Sequence, residues 1–316
     1  MKKIGFGASS AKIIWFGEHS VVYGQPAIAL PLPAVKVSAQ IKIRQQGTSQ
    51  IFSRYYDGDW DQVPVEMAGI KQLTESLRHQ LGLTDYQFQL VIDSDIPAER
   101  GMGSSAATAV AITRAFFDLS EKHLTRTDLL KAANIAEQVT HGNPSGLDAA
   151  TASAKWPIWY VKNKENTKLP INLSTATMVI ADSGVKGKTS VAVNQVKEQL
   201  IIDPKTQDII DKMGAVVNQV PSALIADDVP LLGSLMNQNH NLLRQLNVST
   251  PQLDLMQIQA LDSGAFGAKL TGSGLGGCLI AIAPNLIIAQ KVANDLFQVG
   301  ASATWIQPLN QFEKQD

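Results

Sequence analysis

A glycine-rich segment, Pro97–Ala107, constrains the fold of this chain more than any other stretch. Gly101 and Gly103 permit backbone conformations that other residues avoid, and they let a ligand approach the main chain closely. Ser104 and Ser105 follow at the point where a helix would begin. The unpaired N–H groups and the positive dipole end of such a helix favour an anion, so the segment is typical of a phosphate-binding loop.

The flanking sequence predicts a strand before this loop and a helix after it. Phe88, Leu90 and Ile92 occupy alternate positions, which indicates a half-buried strand. The run 106–117 is apolar and rich in alanine, which favours a buried helix. Strand, glycine loop and helix in this order are typical of nucleotide sites, although an ordinary loop with a serine cap is the alternative.

The loop is not a Walker A motif, because that motif requires a lysine directly after its second glycine and none follows Gly103. Gly-Lys-Thr does occur at 187–189, but Asp182 stands where the motif needs its first glycine. A Walker-type phosphate loop is therefore not expected.

The composition is that of a soluble globular protein, with 316 residues, 45% hydrophobic and 17% charged, which is enough for two domains. Lys and Arg number 27 against 28 Asp and Glu, so no nucleic-acid or anionic-membrane partner is expected. The single cysteine, Cys278, excludes an internal disulfide and favours a cytoplasmic location. No apolar run reaches the ~18 residues of a membrane span, and Lys12 and Glu18 interrupt the apolar stretch that a signal peptide would need.

Strand and helix patterns alternate along the whole chain. Residues 35–44 alternate apolar and polar side chains, which favours a half-buried strand in an antiparallel or mixed sheet. A polar segment at 162–175 marks the expected domain junction, so we predict an α+β fold with domains at 1–175 and 176–316. Helical spacing occurs at 66–81, 126–140, 207–220, 229–246 and 285–298, and further strands are expected at 178–181, 277–283 and 301–306.

Charged side chains interrupt the apolar stretch at 10–24, where Lys12, Glu18 and His19 occur. Burying a lysine without a partner is costly, so Lys12 is expected to have a carboxylate or a ligand phosphate close by. The alternative is a lysine that extends from a strand end into solvent. Taken alone, His19 is more typical of a structural histidine than of a catalytic one.

Two carboxylates, Glu137 and Asp148, flank one turn. The helix that carries Glu137 is expected to end near Gly142. Phosphoryl transfer needs an acidic ligand for Mg²⁺, a base for the attacking hydroxyl and positive charge on the transferring group, and Glu137, Asp148 and Lys12 could supply these roles. The spacing alone favours a different interpretation of Asp148, as the N-cap of a helix at 149–153.

A third segment, 264–278, is rich in glycine and leads into a predicted strand at 279–283. Such a segment predicts a loop that approaches a ligand or another loop closely. It lacks the Gly-x-Ser-x-Gly motif, so a serine hydrolase is not supported. Cys278 is expected to be a packed small residue.

In this order and at these separations, the three segments resemble the signature motifs of the GHMP kinase superfamily over nearly the whole chain. Residues 17–24, 141–148 and 267–274 resemble those of the mevalonate kinases in particular. The resemblance implies a two-domain fold, with an N-terminal domain like domain 2 of ribosomal protein S5 and a ferredoxin-like C-terminal domain.

The resemblance also implies the activity: ATP-dependent phosphorylation of the C5 hydroxyl of (R)-mevalonate, in the mevalonate route to isoprenoids. Asp148 would accept the proton of that hydroxyl, and Lys12 beside it would stabilise the negative charge that develops on the phosphoryl group. Mg²⁺ would be held by Ser105 and Glu137. The residues implied to enclose the ATP phosphates are Pro97, Ala98, Glu99, Arg100, Gly101, Met102, Gly103, Ser104, Ser105, Ala106 and Ala107.

Glu18, His19 and Thr189 are implied, with Lys12, to surround the mevalonate or the transferring phosphate. One departure from the family is visible, because residues 9–11 read Ser-Ser-Ala where these kinases usually read Ala-Pro-Gly. The change is expected to alter the path of the backbone there and to leave the role of Lys12 intact. A homodimer is compatible with the family.

Two alternative functions are open to the same sequence. Another GHMP kinase, such as a phosphomevalonate kinase, would need additional Lys or Arg near its acceptor, and the segments 10–24 and 137–151 offer only Lys12 and histidines. A non-catalytic ATP-binding or metabolite-binding homologue would be expected to lack Lys12, Glu137 or Asp148, and all three are present.

Overall fold

The computed structural model describes residues 1–141, 144–162, 164–171 and 173–312. The strands are β1 (Ile4–Phe16), β2 (Ala27–Arg44), β3 (Gln50–Phe52), β4 (Asp57–Asp59), β5 (Gln87–Ser94), β6 (Ile158–Tyr160), β7 (Thr167–Lys168), β8 (Thr177–Asp182), β9 (Gly267–Thr271), β10 (Cys278–Ala283) and β11 (Ala303–Pro308). The helices are α1 (Ala68–Leu81), α2 (Ser104–Ser120), α3 (Arg126–His141), α4 (Leu147–Ala152), α5 (Thr189–Ile202), α6 (Lys205–Ile225), α7 (Val229–Gln245), α8 (Pro251–Asp262) and α9 (Leu286–Gln298).

The chain divides into two compact units. Unit 1 comprises Met1–Lys12, Val35–Pro97 and Gly103–Ser153. Unit 2 comprises Ile13–Ala34, Ala98–Met102 and the chain from Ala154 onward.

Unit 1 combines a mixed sheet with a group of packed helices. β2 pairs antiparallel with β5, from Val37 opposite Ser94 to Arg44 opposite Gln87, and β3 runs parallel to β5. α2 packs against α1, α3 and α4, and its residues are buried on nearly every side. At Gly7 of β1 a Cβ would lie 2.1 Å from the carbonyl oxygen of Ala111 in α2, so only glycine allows this approach.

Unit 2 contains an antiparallel sheet in the order β11-β8-β10-β9. Side chains of α7 satisfy the outer edge of β9. The Asn237 side chain accepts from the Ala268 N–H at 2.9 Å and donates to the Phe266 carbonyl at 3.2 Å. His240 Nδ1 accepts from the Leu270 N–H at 3.2 Å. The helix therefore covers backbone groups that an edge strand would otherwise expose.

Most predicted elements are confirmed, including the strand and helix around the glycine loop and the mixed sheet containing β2. The helix predicted at 126–140 is also confirmed as α3, and Thr125 Oγ1 caps its start by accepting from the Asp128 N–H at 3.1 Å. The end of α3 predicted near Gly142 falls outside the described residues. None of the helices in the described part of the chain combines the length and apolarity needed to cross a membrane.

Two expectations were wrong. The glycine-rich segment from 264 was expected to be a loop, but its residues 267–271 form β9, because β10 pairs along them and α7 covers their edge. Asp148 was expected to cap a helix at 149–153, but α4 begins at Leu147, so Asp148 lies within its first turn. The N-cap is Gly146, whose φ of 79° suits glycine. Helices α5 and α8 were not predicted.

Candidate active site

An ion pair joins β1 to the first turn of α4 in unit 1. Lys12 Nζ lies 2.8 Å from Asp148 Oδ1. The lysine side chain is 4% exposed, whereas the aspartate side chain is 35% exposed. The three residues that replace the family's Ala-Pro-Gly, together with Lys12, lie within β1. The structure thus supplies the carboxylate partner of Lys12 and leaves that carboxylate open to a reactant.

Hydrogen bonds from three neighbouring elements fix α4. Ser9 Oγ of β1 donates to the Ala152 carbonyl at 2.9 Å, and Arg126 of α3 donates to the Ala150 carbonyl at 3.2 Å. Arg114 of α2 donates to the Ser153 carbonyl at 3.0 Å. Because cations and a hydroxyl satisfy the carbonyl end of this short helix, Asp148 at its other end is held in place.

The start of α2 lies against the lysine. Gly103 precedes the helix with a φ of 69°, and a Cβ at this position would lie 2.8 Å from Lys12 Cε and Cγ. Gly103 is therefore required both for its backbone conformation and for the space that the lysine stem occupies. The first N–H groups of α2 have no acceptor within the helix, so they can bind an anion.

Two oxygen-bearing side chains of unit 1 suit a hard cation. Ser105 lies in the first turn of α2, and Glu137 is buried in α3, which packs against α2. Hydroxyl and carboxylate oxygens are ligands that Mg²⁺ prefers. Among the described residues, no three His, Cys, Asp or Glu side chains cluster closely enough to hold a metal ion by themselves.

In unit 2, Glu18 forms a fully buried ion pair with Lys269 of β9. Lys269 Nζ also donates to the carbonyl of Leu270 at 2.7 Å. Burial lowers the pKa of Lys269, and the charge and hydrogen bond of Glu18 oppose that shift. Lys269 was not predicted as a site residue, although a lysine within a glycine-rich apolar segment was the available signal.

His19 is the next residue after Glu18, and its side chain is also buried. Its Nε2 lies 2.9 Å from the Ser273 carbonyl, and since a carbonyl only accepts, Nε2 carries the proton. Burial lowers the pKa of His19; the Ser273 hydrogen bond opposes this, and the charge of Lys269 adds to it. The ring is therefore neutral near pH 7.

Thr189, the first residue of α5, belongs to the same group of side chains. Its Oγ1 lies 3.1 Å from Ser273 Oγ, and Ser273 also receives the hydrogen bond from His19. Two of the predicted site residues, His19 and Thr189, are thus linked within unit 2 through Ser273, and Glu18 directly precedes His19 in the chain. Ser273 was missed because an isolated serine between glycines carries no distinctive pattern.

The predicted phosphate loop is divided between the two units. Pro97 and the residues from Gly103 onward belong to unit 1, whereas Ala98–Met102 belong to unit 2. Within this middle part Met102 is buried, and Glu99 and Gly101 adopt left-handed backbone conformations with φ of 57° and 76°. A left-handed backbone is unusual for Glu99, because residues with a Cβ rarely adopt this conformation.

Comparison with protein-family models finds two matches in this chain. The GHMP kinases N terminal domain matches residues 69–155, and the GHMP kinases C terminal domain matches residues 222–302.

Curated relatives extend the similarity across most of the chain. A mevalonate kinase of Thermococcus gammatolerans is 34% identical over 303 residues, which cover 88% of each chain. A mevalonate kinase of Pyrococcus abyssi is 32% identical over 90% of each chain.

Solved structures are similar over nearly the full length. The mevalonate kinase of L. major in complex with R-mevalonate superposes with a TM-score of 0.86 at 26% identity, covering 98% of each chain. The mevalonate kinase of methicillin-resistant Staphylococcus aureus superposes with a TM-score of 0.79 at 32% identity, covering 98% of this chain and 99% of that one.

Proposed function

Because the chain belongs to the mevalonate kinases of the GHMP kinase superfamily, and so is an ATP-dependent small-molecule kinase, we propose that Asp148 and Lys12 catalyse its phosphorylation of mevalonate. The product is 5-phosphomevalonate, formed at the C5 hydroxyl in the route to isoprenoids. The observation that carries the proposal is the ion pair between a buried lysine and a carboxylate that is one-third exposed.

Asp148 accepts the proton of the C5 hydroxyl as its oxygen attacks the γ-phosphorus of ATP. The bond from that phosphorus to the bridging oxygen breaks, and ADP leaves with the bonding electrons. Negative charge develops on the transferring oxygens, and the ammonium of Lys12 stabilises it. Because the lysine is 4% exposed, water screens its charge only weakly.

The ATP phosphates bind to the loop Pro97–Ala107 and to the start of α2. Two features of the described residues support this placement: the N–H groups of the first helical turn lack helical acceptors, and Gly103 lets Lys12 lie directly beside that turn.

Ser105 and Glu137 would hold Mg²⁺ with the ATP phosphates. When bound, the ion neutralises phosphate charge. The donor set of hydroxyl and carboxylate fits this ion, and the remaining ligands would be phosphate oxygens and water, since no larger acidic cluster exists in the described part of the chain.

Mevalonate is bound by His19 and Thr189, together with Lys12. Glu18, which is fully buried against Lys269, supports this site by fixing the segment that carries His19. The hydrogen bond from His19 Nε2 to Ser273 leaves Nδ1 of the neutral ring as an acceptor for a hydroxyl of the substrate. The hydroxyl of Thr189 shares Ser273 with this histidine, so the two side chains are positioned by one residue.

We further propose the domain organisation, location, oligomeric state and partners that are expected from the sequence and the family. These are domains at 1–175 and 176–316, a cytoplasmic location, a homodimer, and no nucleic-acid or membrane partner. The single, unpaired Cys278 supports the location, because a chain without a disulfide suits a reducing compartment.

The test is ATP-dependent ADP release by the purified protein with mevalonate, phosphomevalonate, homoserine and galactose, with Asp148→Asn measured in parallel. Turnover of mevalonate that is lost in the variant is the expected result. Turnover of another acceptor alone would overturn the substrate and keep the fold and the mechanism. ATP binding without turnover of any acceptor would overturn the assignment of catalysis.

A further inference from the structure

A buried ion pair anchors the middle of the phosphate loop within unit 2. Arg100 Nε lies 2.8 Å from Asp182 Oδ1 and 3.0 Å from Oδ2, and its Nη2 donates to the Gly184 carbonyl at 3.1 Å. Asp182 Oδ1 in turn accepts from the Gly184 N–H at 2.8 Å. The arginine side chain is 14% exposed and that of the aspartate 6%, so water screens this pair little.

The backbone around Arg100 is hydrogen-bonded to its surroundings and closely packed against them. The Gly187 N–H donates to the Glu99 carbonyl at 2.8 Å. A Cβ at Gly277 would lie 3.0 Å from the Arg100 carbonyl oxygen, and one at Gly101 would lie 3.3 Å from Gly272 Cα. The segment 98–102 therefore lies directly on the turn 182–187 and on the glycine-rich segment that follows β9.

This segment adopts a conformation that its own sequence does not favour. Glu99 has a φ of 57°, in the left-handed region that glycine and asparagine adopt more readily than glutamate. Gly101 follows with a φ of 76°. Surrounding contacts must hold a residue in such a conformation, and such residues are common where a loop is shaped for a ligand.

A second ion pair in the same segment is too exposed to do this. Lys186 Nζ lies 2.7 Å from Glu99 Oε2, but these side chains are 69% and 58% exposed. Exposed pairs contribute little because solvent screens them and both side chains lose mobility. The chain thus offers two ion pairs on adjacent residues, one buried and one in solvent.

We propose that Arg100 and Asp182 are positioning residues for ATP. Their ion pair holds the strained segment 98–102 in the shape that presents the loop to the ATP phosphates. The planar guanidinium binds the carboxylate and the Gly184 carbonyl at once, which a lysine cannot reproduce. This inference rests on the proposed role of Pro97–Ala107 and adds the contact that keeps that loop competent.

The test compares Arg100→Gln, Asp182→Asn and their double variant with the wild-type enzyme. ATP affinity is measured by titration calorimetry with Mg²⁺ and without mevalonate. The KM for ATP, the KM for mevalonate and the Tm of each variant are measured as well. Each single variant is expected to weaken ATP binding about tenfold, and the double variant about as much as either single one, because both remove the same contact. The KM for mevalonate is expected to stay within about twofold.

Lys186→Gln is the matched control, since it removes the exposed pair beside the same loop, and its ATP affinity should equal that of the wild type. Arg100→Lys keeps the charge, so it should fold even where Arg100→Gln does not, and should weaken ATP binding about threefold. Unchanged ATP affinity in folded Arg100→Lys and Arg100→Gln would overturn the proposal. A fall in the Tm of these variants without a change in their ATP affinity would also overturn the proposal.

The outcome for the loop can be separated from the outcome for the overall function. If the wild-type protein binds ATP but does not phosphorylate mevalonate, the proposed function fails, while the calorimetric comparison still tests Arg100 and Asp182. If mevalonate is phosphorylated and the variants bind ATP normally, only the positioning role fails.

Discussion

Two lysine–carboxylate pairs in this chain have the same chemistry and opposite surroundings. In unit 1, Lys12 is buried but its partner Asp148 is 35% exposed. In unit 2, Lys269 and its partner Glu18 are both fully buried. The carboxylate that can be reached is the one that suits a base, because a proton must pass to it from a bound hydroxyl.

Lys269 and Glu18 form a sealed pair, because neither side chain is exposed to water. Their role differs from that of Lys12 and Asp148. Glu18 comes from the segment after β1, and Lys269 lies in β9, so their contact fixes that segment and the adjacent His19 against the sheet. Two charges removed from water stabilise the fold little as a pair, but the loss of either one leaves a costly buried charge. The comparison therefore predicts that changes at the first pair affect turnover and changes at the second affect folding.

The largest effect is expected for Asp148→Asn, because the variant loses the base while keeping the size of the side chain. The kcat should fall by about 10³- to 10⁴-fold. The free energy of unfolding should fall less than in Lys269→Met, because the asparagine oxygen can still accept from the Lys12 ammonium and the site is partly exposed. Steady-state kinetics and urea unfolding measure the two quantities. An activity above one-tenth of wild type would contradict the role of Asp148.

Lys269→Met should produce the opposite pattern. The free energy of unfolding is expected to fall by about 3–5 kcal/mol, because Glu18 keeps its charge in a buried site without its lysine partner. The double variant Lys269→Met with Glu18→Gln is the control and should recover much of that loss in urea unfolding. Wild-type stability in the single variant would show that the pair is not sealed as described.

Lowering the pH should lower the free energy of unfolding through protonation of His240, which accepts from the N–H of Leu270, the neighbour of Lys269. Burial lowers the pKa of His240 to about 4; Asp254 raises it, and Lys269 and Arg244 lower it further. The unfolded chain, with a histidine pKa near 6.5, binds the proton first as pH falls, so stability is complete above pH 6.5 and is lost between 6.5 and 4.

The expected loss from His240 at pH 5 is about 2 kcal/mol relative to pH 7.5, measured by urea unfolding at both values. His240→Gln should flatten this dependence by that amount. The lowered pKa of His19 acts in the same direction, so a smaller dependence should persist in the variant. Equal pH slopes for variant and wild type would rule out His240 as the source.

The smallest effect is expected for Gly103→Ala, which tests whether Lys12 must keep its position beside α2. The added Cβ would lie 2.8 Å from the lysine stem, so the ammonium should shift and kcat should fall about tenfold. Gly82→Ala is the matched control, because Gly82 also has a positive φ, 73°, but its Cβ would meet nothing within 4 Å. A fall in kcat in both variants would place the cause in general strain.

The local elements and the motifs could be predicted from the sequence, since they depend on residues that are close together in the chain. The strand before the loop, the long helix α2 and the helix α3 all follow from short-range periodicity. β9 was missed because glycines reduce the intrinsic preference for a strand, and only pairing with β10 and coverage by α7 restore it. Helix α5 was missed because few of its residues are buried.

The same division holds for the candidate site. The sequence alone identified Lys12 as a charge that needs a partner, the glycine loop as a phosphate site, and Glu137 and Asp148 as candidate carboxylates for phosphoryl transfer. The resemblance to the GHMP kinases then implied a specific role for each. Pairing Lys12 with Asp148, sealing Glu18 against Lys269 and anchoring Arg100 on Asp182 each join residues more than eighty positions apart. Such contacts depend on how strands and helices pack, and electrostatic energy depends on distance and burial, which residue order does not specify.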